Sequence, residues 1–391
     1  KMIEVIRQPS AYCLVGNPVI FELSSDQSKS IAIKVKYADR TIQLNAYPYR
    51  MGDAYHAQVD LSDVLKSFFD DGLPIYGETI AIAEYPDFIR KCTVTIDNKF
   101  YELNAIDGGV SDDALIELDE TGDNMFSYRL LNAERSLLFT TRTNSPTISL
   151  RESELFPFVF LHPGKAITFL SSSGNAIAEK ALPAGTPCLM DLAYVRQTFF
   201  AIYDELPDYL EIQVDGADST YVNITESIYS ENMLWLVFKN SLGGYESVEI
   251  TGKGIYTPEF GESTPFQRLD KSGIFTQMRN RLTKQEIITI QTGYKNQSEL
   301  NFLMDMLATD KAYLVYPDKR IVEVIPEADS PKYDMRVTSP TSLEVKLRAV
   351  SVNKYHSASI DLAKPGTWLW DGIWDDYAFW FDGKQIKDNK E

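Results

Sequence analysis

Apolar and polar residues alternate along most of this chain. Ser30–Tyr37 (SIAIKVKY) sets Ile31, Ile33, Val35 and Tyr37 on one face against Lys34 and Lys36 on the other. A period of two predicts a half-buried strand. Ala38-Asp39-Arg40 turns the chain, and Thr41–Ala46 alternates again. The same signature predicts strands at Tyr55–Val59, Cys92–Ile96, Tyr101–Ala105, Ser136–Thr141, Thr186–Met190, Leu210–Val214, Met233–Lys239 and Ser247–Thr251. Turn clusters such as Asp107-Gly108-Gly109 and Leu242-Gly243-Gly244 separate them. Many short strands punctuated this way indicate sandwiches or barrels.

Two segments break the pattern and match each other. Asp60–Phe69 (DLSDVLKSFF) and Asp191–Phe200 (DLAYVRQTFF) share Asp, Leu, Val, Phe and Phe without a gap. In the first, Leu61, Val64, Leu65 and Phe68 follow helical i, i+3, i+4, i+7 spacing, and Phe69 ends the run. In the second, Leu192, Val195, Phe199 and Phe200 occupy corresponding places. Each opens on an Asp suited to accepting backbone N–H bonds at a helix N-terminus. Each follows a strand-like run, so the reading is an internal duplication of a β-domain carrying one short core helix.

A third module follows. Thr257–Ser272 is rich in turn formers and reads as a linker or exposed loop. Glu286–Thr292 reads as a strand, and Asn296–Leu307 as a helix with Asn296 and Glu299 in a capping-box-like start. Ala312–Tyr316 and Ile321–Ile325 form a hairpin, and Ser342–Val352 a long final strand. The expected fold class is therefore mainly β: tandem antiparallel β-sandwich domains followed by a small α+β domain. The domains run over 1–110, 111–254 and 255–357. A tail at 358–391 interleaves Trp368, Trp370, Trp374 and Trp380 with Asp371, Asp375, Asp376 and Asp382. That tail is too short for its own core, so it packs on the parent domain, anchors a partner subunit or offers a carbohydrate platform.

Charge and composition narrow the functions. The 391 residues carry 38 Lys and Arg against 56 Asp and Glu, a formal net charge of −18. This opposes nucleic-acid binding, which rests on neutralising phosphate, and adhesion to anionic lipid. No apolar run approaches the roughly 20 residues of a membrane-spanning helix. Cys13, Cys92 and Cys188 lack paired spacing and read as small buried hydrophobes, not as disulfides or zinc ligands. The start, Lys1-Met2-Ile3, lacks a signal peptide's apolar stretch, which leads us to expect cytoplasmic synthesis; a removed signal would leave the same sequence.

The sequence carries few signatures of catalytic chemistry. The phosphate-loop, dinucleotide, nucleophile-elbow and zinc-protease motifs are missing from the sequence. His56, His162 and His356 stand in unrelated contexts. Acidic residues are too numerous to nominate a glycosidase pair. The acidic turns Asp119–Asn124 and Asp215–Asp218 lack the spacing of a known calcium loop and read as solvated turns. No catalytic, cofactor or metal residue is assigned.

Two stretches carry a family resemblance. Trp235–Gly252 (WLVFKNSLGGYESVEITG) is similar to a W-L-x-F-x-N-x-x-G-G…T-G run in tail proteins of tailed bacteriophages and prophages. Thr292-Gly293-Tyr294, the following helix and Tyr313–Tyr316 resemble a TGY–helix–VY module of the same proteins. The resemblance covers about a third of the chain. It implies a non-enzymatic structural subunit of a tail tip or baseplate, distal-tail-like or fibre-attaching, assembled with other tail proteins and with copies of itself, and incorporated into a virion. The competing class is an exported β-sandwich that binds glycan or adheres to a surface, and the third is a glycan-active enzyme.

Overall fold

The computed structural model describes residues 3–69, 72–73, 80–121, 137–143, 145–216, 219–227, 233–269, 271–295, 299–317, 320–327 and 341–353. The fold is mainly β, in six sheets with four α-helices among the described residues. The chain divides into two compact units. One comprises Lys1–Leu150, Leu155–Thr225 and Asn240–Glu246, and the other Arg151–Glu154, Glu226–Lys239 and Ser247–Glu391.

The first unit holds four sheets. One runs β1 (Ile3–Arg7), β3 (Ile20–Ser25), β7 (Ala54–Asp60), β6 (Tyr49–Met51). The second runs β2 (Tyr12–Leu14), β10 (Lys99–Ile106), β9 (Arg90–Ile96), β4 (Ile31–Tyr37), β5 (Arg40–Ala46). The alternation in β4 works as its pattern requires: Ile31, Ile33 and Val35 are buried and the lysines exposed. Their core is shared with helix α1 (Ser62–Lys66), since Leu61, Leu65 and Phe68 pack among Phe21, Leu23, Val94 and Leu103.

A third sheet repeats the second. Its order is β11 (Thr147–Arg151), β17 (Thr220–Thr225), β16 (Tyr209–Val214), β13 (Ile167–Ser171), β14 (Ala176–Glu179). The chain-order relations β2-β10-β9-β4-β5 and β11-β17-β16-β13-β14 coincide place by place. Even the unusual edge agrees. β2 runs parallel to β10, with Asn104 opposite Tyr12 and Ile106 opposite Leu14. Tyr221 N donates to Pro146 O and Thr225 Oγ1 to Leu150 O, so residue numbers rise together along β11 and β17 as well. The fourth sheet joins β12 (Phe158–Leu161), β15 (Pro187–Met190) and β8 (Ile82–Glu84), and β12–β15 corresponds to β3–β7. A helix follows directly in both cases, α1 after β7 and α3 (Leu192–Tyr203) after β15. We propose from this matched order that the two sandwiches arose by duplication.

Two expected elements differ. Leu137–Thr141 is not a strand, because its amides are drawn to three separate places. Leu137 N donates to Thr220 Oγ1, Phe139 N to Val159 O and Thr141 N to Glu246 Oε1. The acidic stretch from Asp119 begins inside helix α2 (Asp112–Thr121) instead of forming a turn; residues 122–124 lie outside the described residues, as do 217–218 of the other acidic turn.

The second unit is built on one large sheet. Its order is β19 (Tyr245–Ile250), β18 (Leu234–Lys239), β25 (Ala312–Val315), β26 (Ile321–Glu327), β27 (Thr341–Asn353), β24 (Lys284–Lys295), β20 (Gly254–Tyr256), with β21 (Glu259–Phe260) also on β24. Helix α4 (Leu300–Ala308) buries Leu300, Phe302, Leu303, Met306 and Leu307 against Ile288, Ile290, Leu314, Val345 and Leu347. Strands 234–250, read from sequence with the second domain, thus pair into the sheet of the third, Trp235 opposite Val315 and Phe238 opposite Ala312. The capping box does not form as expected. Glu299 occupies the N-cap without a side-chain cap bond and faces Arg151 instead, and Asn296 lies outside the described residues. The expected linker contains strand β21 and half of a hairpin, β22 (Phe266–Leu269) with β23 (Phe275–Met278). Turn-forming residues masked short strands there that no core residues announce.

Candidate functional site

The two helices with matching sequence are core devices. Asp60 Oδ1 accepts from Val19 N and Ser62 N, both at 2.9 Å. Asp191 Oδ1 accepts from Ala193 N and Tyr194 N, both at 3.0 Å, and caps α3. Leu61, Phe68, Leu192, Val195 and Phe199 are buried, whereas Val64, Phe69 and Phe200 are half-buried. Phe69 is covered by the guanidinium of the buried Arg90, 5.1 Å from the ring centroid, a cation–π contact on its face. Trp368, Trp370, Trp374, Trp380 and His356 lie outside the described residues.

The two motif-bearing stretches reveal why those residue types occur. In the first, Asn240 is a hub. Its Nδ2 donates to Phe139 O at 2.9 Å and Glu246 Oε1 at 2.7 Å, and its Oδ1 accepts from Gly244 N at 2.9 Å and Leu242 N at 3.1 Å. Glu246 in turn accepts from Thr140 Oγ1, Thr141 N and Arg142 Nε. Gly243 takes φ +87°, and a Cβ there would sit 2.6 Å from Asp107 O. Burial raises the Glu246 carboxyl above the usual range, opposed by Arg142 and by the hydrogen bonds from Asn240, Thr141 and Thr140. A buried carboxyl is tolerated only when paired and hydrogen-bonded.

The second crossing joins the T-G pair to the TGY triplet within the second unit. Gly252 N donates to Gln291 O at 3.1 Å, and a Cβ on Gly252 would collide with that same carbonyl. Gly293 sits at φ +76° where the β24–β27 register shifts, and its own Cβ would collide with Thr251 Oγ1. Thr292 Oγ1 accepts from Leu343 N at 3.0 Å, restoring a bond that the bulge would otherwise cost. Only residues lacking a Cβ permit this approach.

Sequence reasoning missed a buried charge cluster in the same unit. Lys295 Nζ lies 3.3 Å from Glu154 Oε1. Glu154 also accepts from Glu249 N at 2.8 Å and Arg151 N at 3.3 Å, and Ser153 Oγ donates to Glu249 Oε2. Burial pulls the Lys295 ammonium below the lysine range, and Glu154 opposes that shift. No local spacing could have signalled a trio so distant in sequence. Glu154, Glu246 and Glu249 are all closed to solvent, and each accepts from framework donors. This is the chemistry of scaffold fixation.

Cys13, Cys92 and Cys188 are buried free thiols, each pushed up to about 12 chiefly by burial. His162 is buried, with Nδ1 accepting from Gly164 N at 3.1 Å, and burial lowers its pKa. His56 lies half-buried on β7. Among the described residues, no three His, Cys, Asp or Glu side chains are grouped to hold a metal, and no helix is long and apolar enough to cross a membrane.

Fold and framework together define a mainly β protein of several sheets with few helices. No family model matches the chain, and no curated protein matches it. Among solved structures it is similar to the I9–I11 tandem of titin at 10% identity, covering 73% of this chain and 94% of that one, with a TM-score of 0.15. The Dpr2 Ig1-Ig2 complex with DIP-Theta Ig1-Ig3 matches at 9% identity over 93% and 92%, TM-score 0.18. A bacterial ice-binding adhesin matches at 9% over 74% and 92%, TM-score 0.14. The fold assignment stands on the sheets themselves.

Proposed function

We propose that the chain is a non-enzymatic structural subunit of a bacteriophage or prophage tail tip or baseplate, working through protein–protein contacts with other tail proteins and with its own copies. The observation that carries this reading is the crossing of Thr251-Gly252 with Thr292-Gly293. Both tail-protein-like stretches meet there, backbone against backbone, so the residues that make up the resemblance form one structural device. The closed state of the buried carboxylates supports the same reading, since each serves the framework. The experiment is fractionation of particles from the encoding phage or prophage on a density gradient, with peptide mass spectrometry of the tail-bearing fractions. The chain is expected at a fixed stoichiometry to the tail tube. Recovery only from cell envelopes would favour the surface-adhesion reading instead.

A further inference from the structure

The hairpin β22–β23 has no core of its own, and its two faces are not alike. Every described residue from Phe266 to Arg281 is exposed. Phe266 is opposite Met278, Arg268 opposite Thr276, Gln267 opposite Gln277 and Leu269 opposite Phe275. Side chains alternate along a strand, and directly opposed partners share a face. One face therefore carries Phe266 and Met278 beside Arg268. The other carries Leu269 and Phe275 beside two glutamines, with no charge. A two-stranded hairpin is marginal alone in water, so apolar pairs left open on it mark a contact site.

The chain itself returns to the root of this arm. Lys284 on β24 is opposite Asn353 on β27 and Phe260 on β21. The two legs of the hairpin leave from Phe260 and Lys284, so Asn353 stands at their base. Residues after Asn353 lie outside the described residues. By sequence, Trp368 follows Asn353 by 15 residues (368 − 353), a reach of up to about 50 Å for extended chain. Met278 is six residues from Lys284 (284 − 278), at most about 20 Å away. The segment that begins at Trp368 is long enough to arrive at the hairpin.

Charge selects the face. From Trp368 to Asp382 the sequence holds Asp371, Asp375, Asp376 and Asp382 and no Lys or Arg. Each of these acids stands within two residues of a tryptophan, so covering a surface with the rings brings carboxylates to it. Against Leu269 and Phe275 those carboxylates would lose water with no cation in return. Against Phe266 and Met278 they meet Arg268, and Arg279 and Arg281 follow on the leg that leads back to β24. The acids of the arm are fewer: Asp270 and Glu262 by sequence, and Glu259, which Arg348 already holds at 3.3 Å. We infer that the segment Trp368–Asp382 docks on the Phe266–Arg268–Met278 face of the hairpin of its own chain. Its tryptophans cover the apolar pair, and its aspartates face Arg268. The contact lies within one chain, and it holds whether or not that chain belongs to a tail.

The test uses Arg268→Lys in the full chain, which keeps the charge and supplies an amine that carbodiimide couples to carboxylates. Peptide mass spectrometry of the monomer fraction is expected to find residue 268 joined to Asp371, Asp375, Asp376 or Asp382. Adding Met278→Asp should abolish that crosslink. Four of the five tryptophans lie in the segment, so tryptophan emission follows it independently. In the otherwise unaltered chain, Met278→Asp should shift the emission to the red and increase quenching by acrylamide. Phe275→Ser, on the opposite face, should change neither. Both side chains are exposed, so the melting temperature of each variant should stay at the parent value. A monomer without the crosslink, or emission that ignores Met278→Asp, overturns the proposal. Phe275→Ser acting as strongly as Met278→Asp also overturns it, since the segment would then lie on the other face. A crosslink confined to the dimer fraction overturns the contact within one chain, because a second copy would be supplying the segment.

Discussion

Lys295 and Glu154 form a buried ion pair, Nζ to Oε1 3.3 Å, with each side chain 1% exposed. Removing one member leaves the other charged in the interior, which costs about 3–5 kcal/mol. Lys295→Met should therefore lower the urea midpoint strongly at an unchanged slope. Adding Glu154→Gln should recover part of the loss, because the amide oxygen still accepts from Glu249 N.

Gly293 offers a paired comparison. Gly293→Ala meets both the left-handed backbone region and Thr251 Oγ1, and should destabilise the chain by about 2–5 kcal/mol. Gly52 also has positive φ but nothing within 4 Å of its absent Cβ. Gly52→Ala should cost only the conformational part, about 1–2 kcal/mol. Equal losses in thermal melts of the two variants would refute the crossing as the cause.

Glu246 predicts a pH signature. Its folded-state pKa is raised by burial, so the folded chain holds a proton that the unfolded chain releases. That contribution to stability is full below the ordinary glutamate value, about 4.3, and is lost as pH rises through the folded pKa. Chemical denaturation of wild type against Glu246→Gln should show a stability difference that shifts in favour of the variant as pH rises above about 4.3. A difference independent of pH would contradict the buried carboxyl.

The three thiols should be silent until the chain unfolds. With pKa values pushed up to about 12 and closed surroundings, Cys13, Cys92 and Cys188 carry negligible thiolate at neutral pH. Alkylation with iodoacetamide should label none in buffer and all three in denaturant, read by intact mass.

The repeated helices tie the sequence to the fold. Phe199→Ala should cost about 3–5 kcal/mol by opening a cavity, and Phe68→Ala a comparable amount. Asp191→Ala, which removes two N–H acceptor contacts, should cost about 1 kcal/mol.

What was legible in the sequence was what local periodicity encodes. Ile31, Ile33 and Val35 announced their strand because one face is buried and the other wet. The helix after Asp191 was visible because a cap precedes an apolar stripe. Long-range pairing was not legible. Trp235–Lys239 reads as another sandwich strand until Val315 and Ala312 are seen opposite it, and Leu137–Thr141 alternates without having a ladder to join. The Glu154–Lys295–Glu249 cluster left no trace because its members are separated by up to 141 residues. The hairpin at Phe266–Met278 was hidden for the opposite reason, since both its faces are exposed and no alternation marks them.

We propose that this chain is part of a tail. Gold-labelled antibody to the purified chain, imaged by negative stain on intact particles from the encoding phage or prophage, locates it. Gold is expected only at the distal end of the tail. Unlabelled tails, with gold on the bacterial surface instead, would refute the proposal.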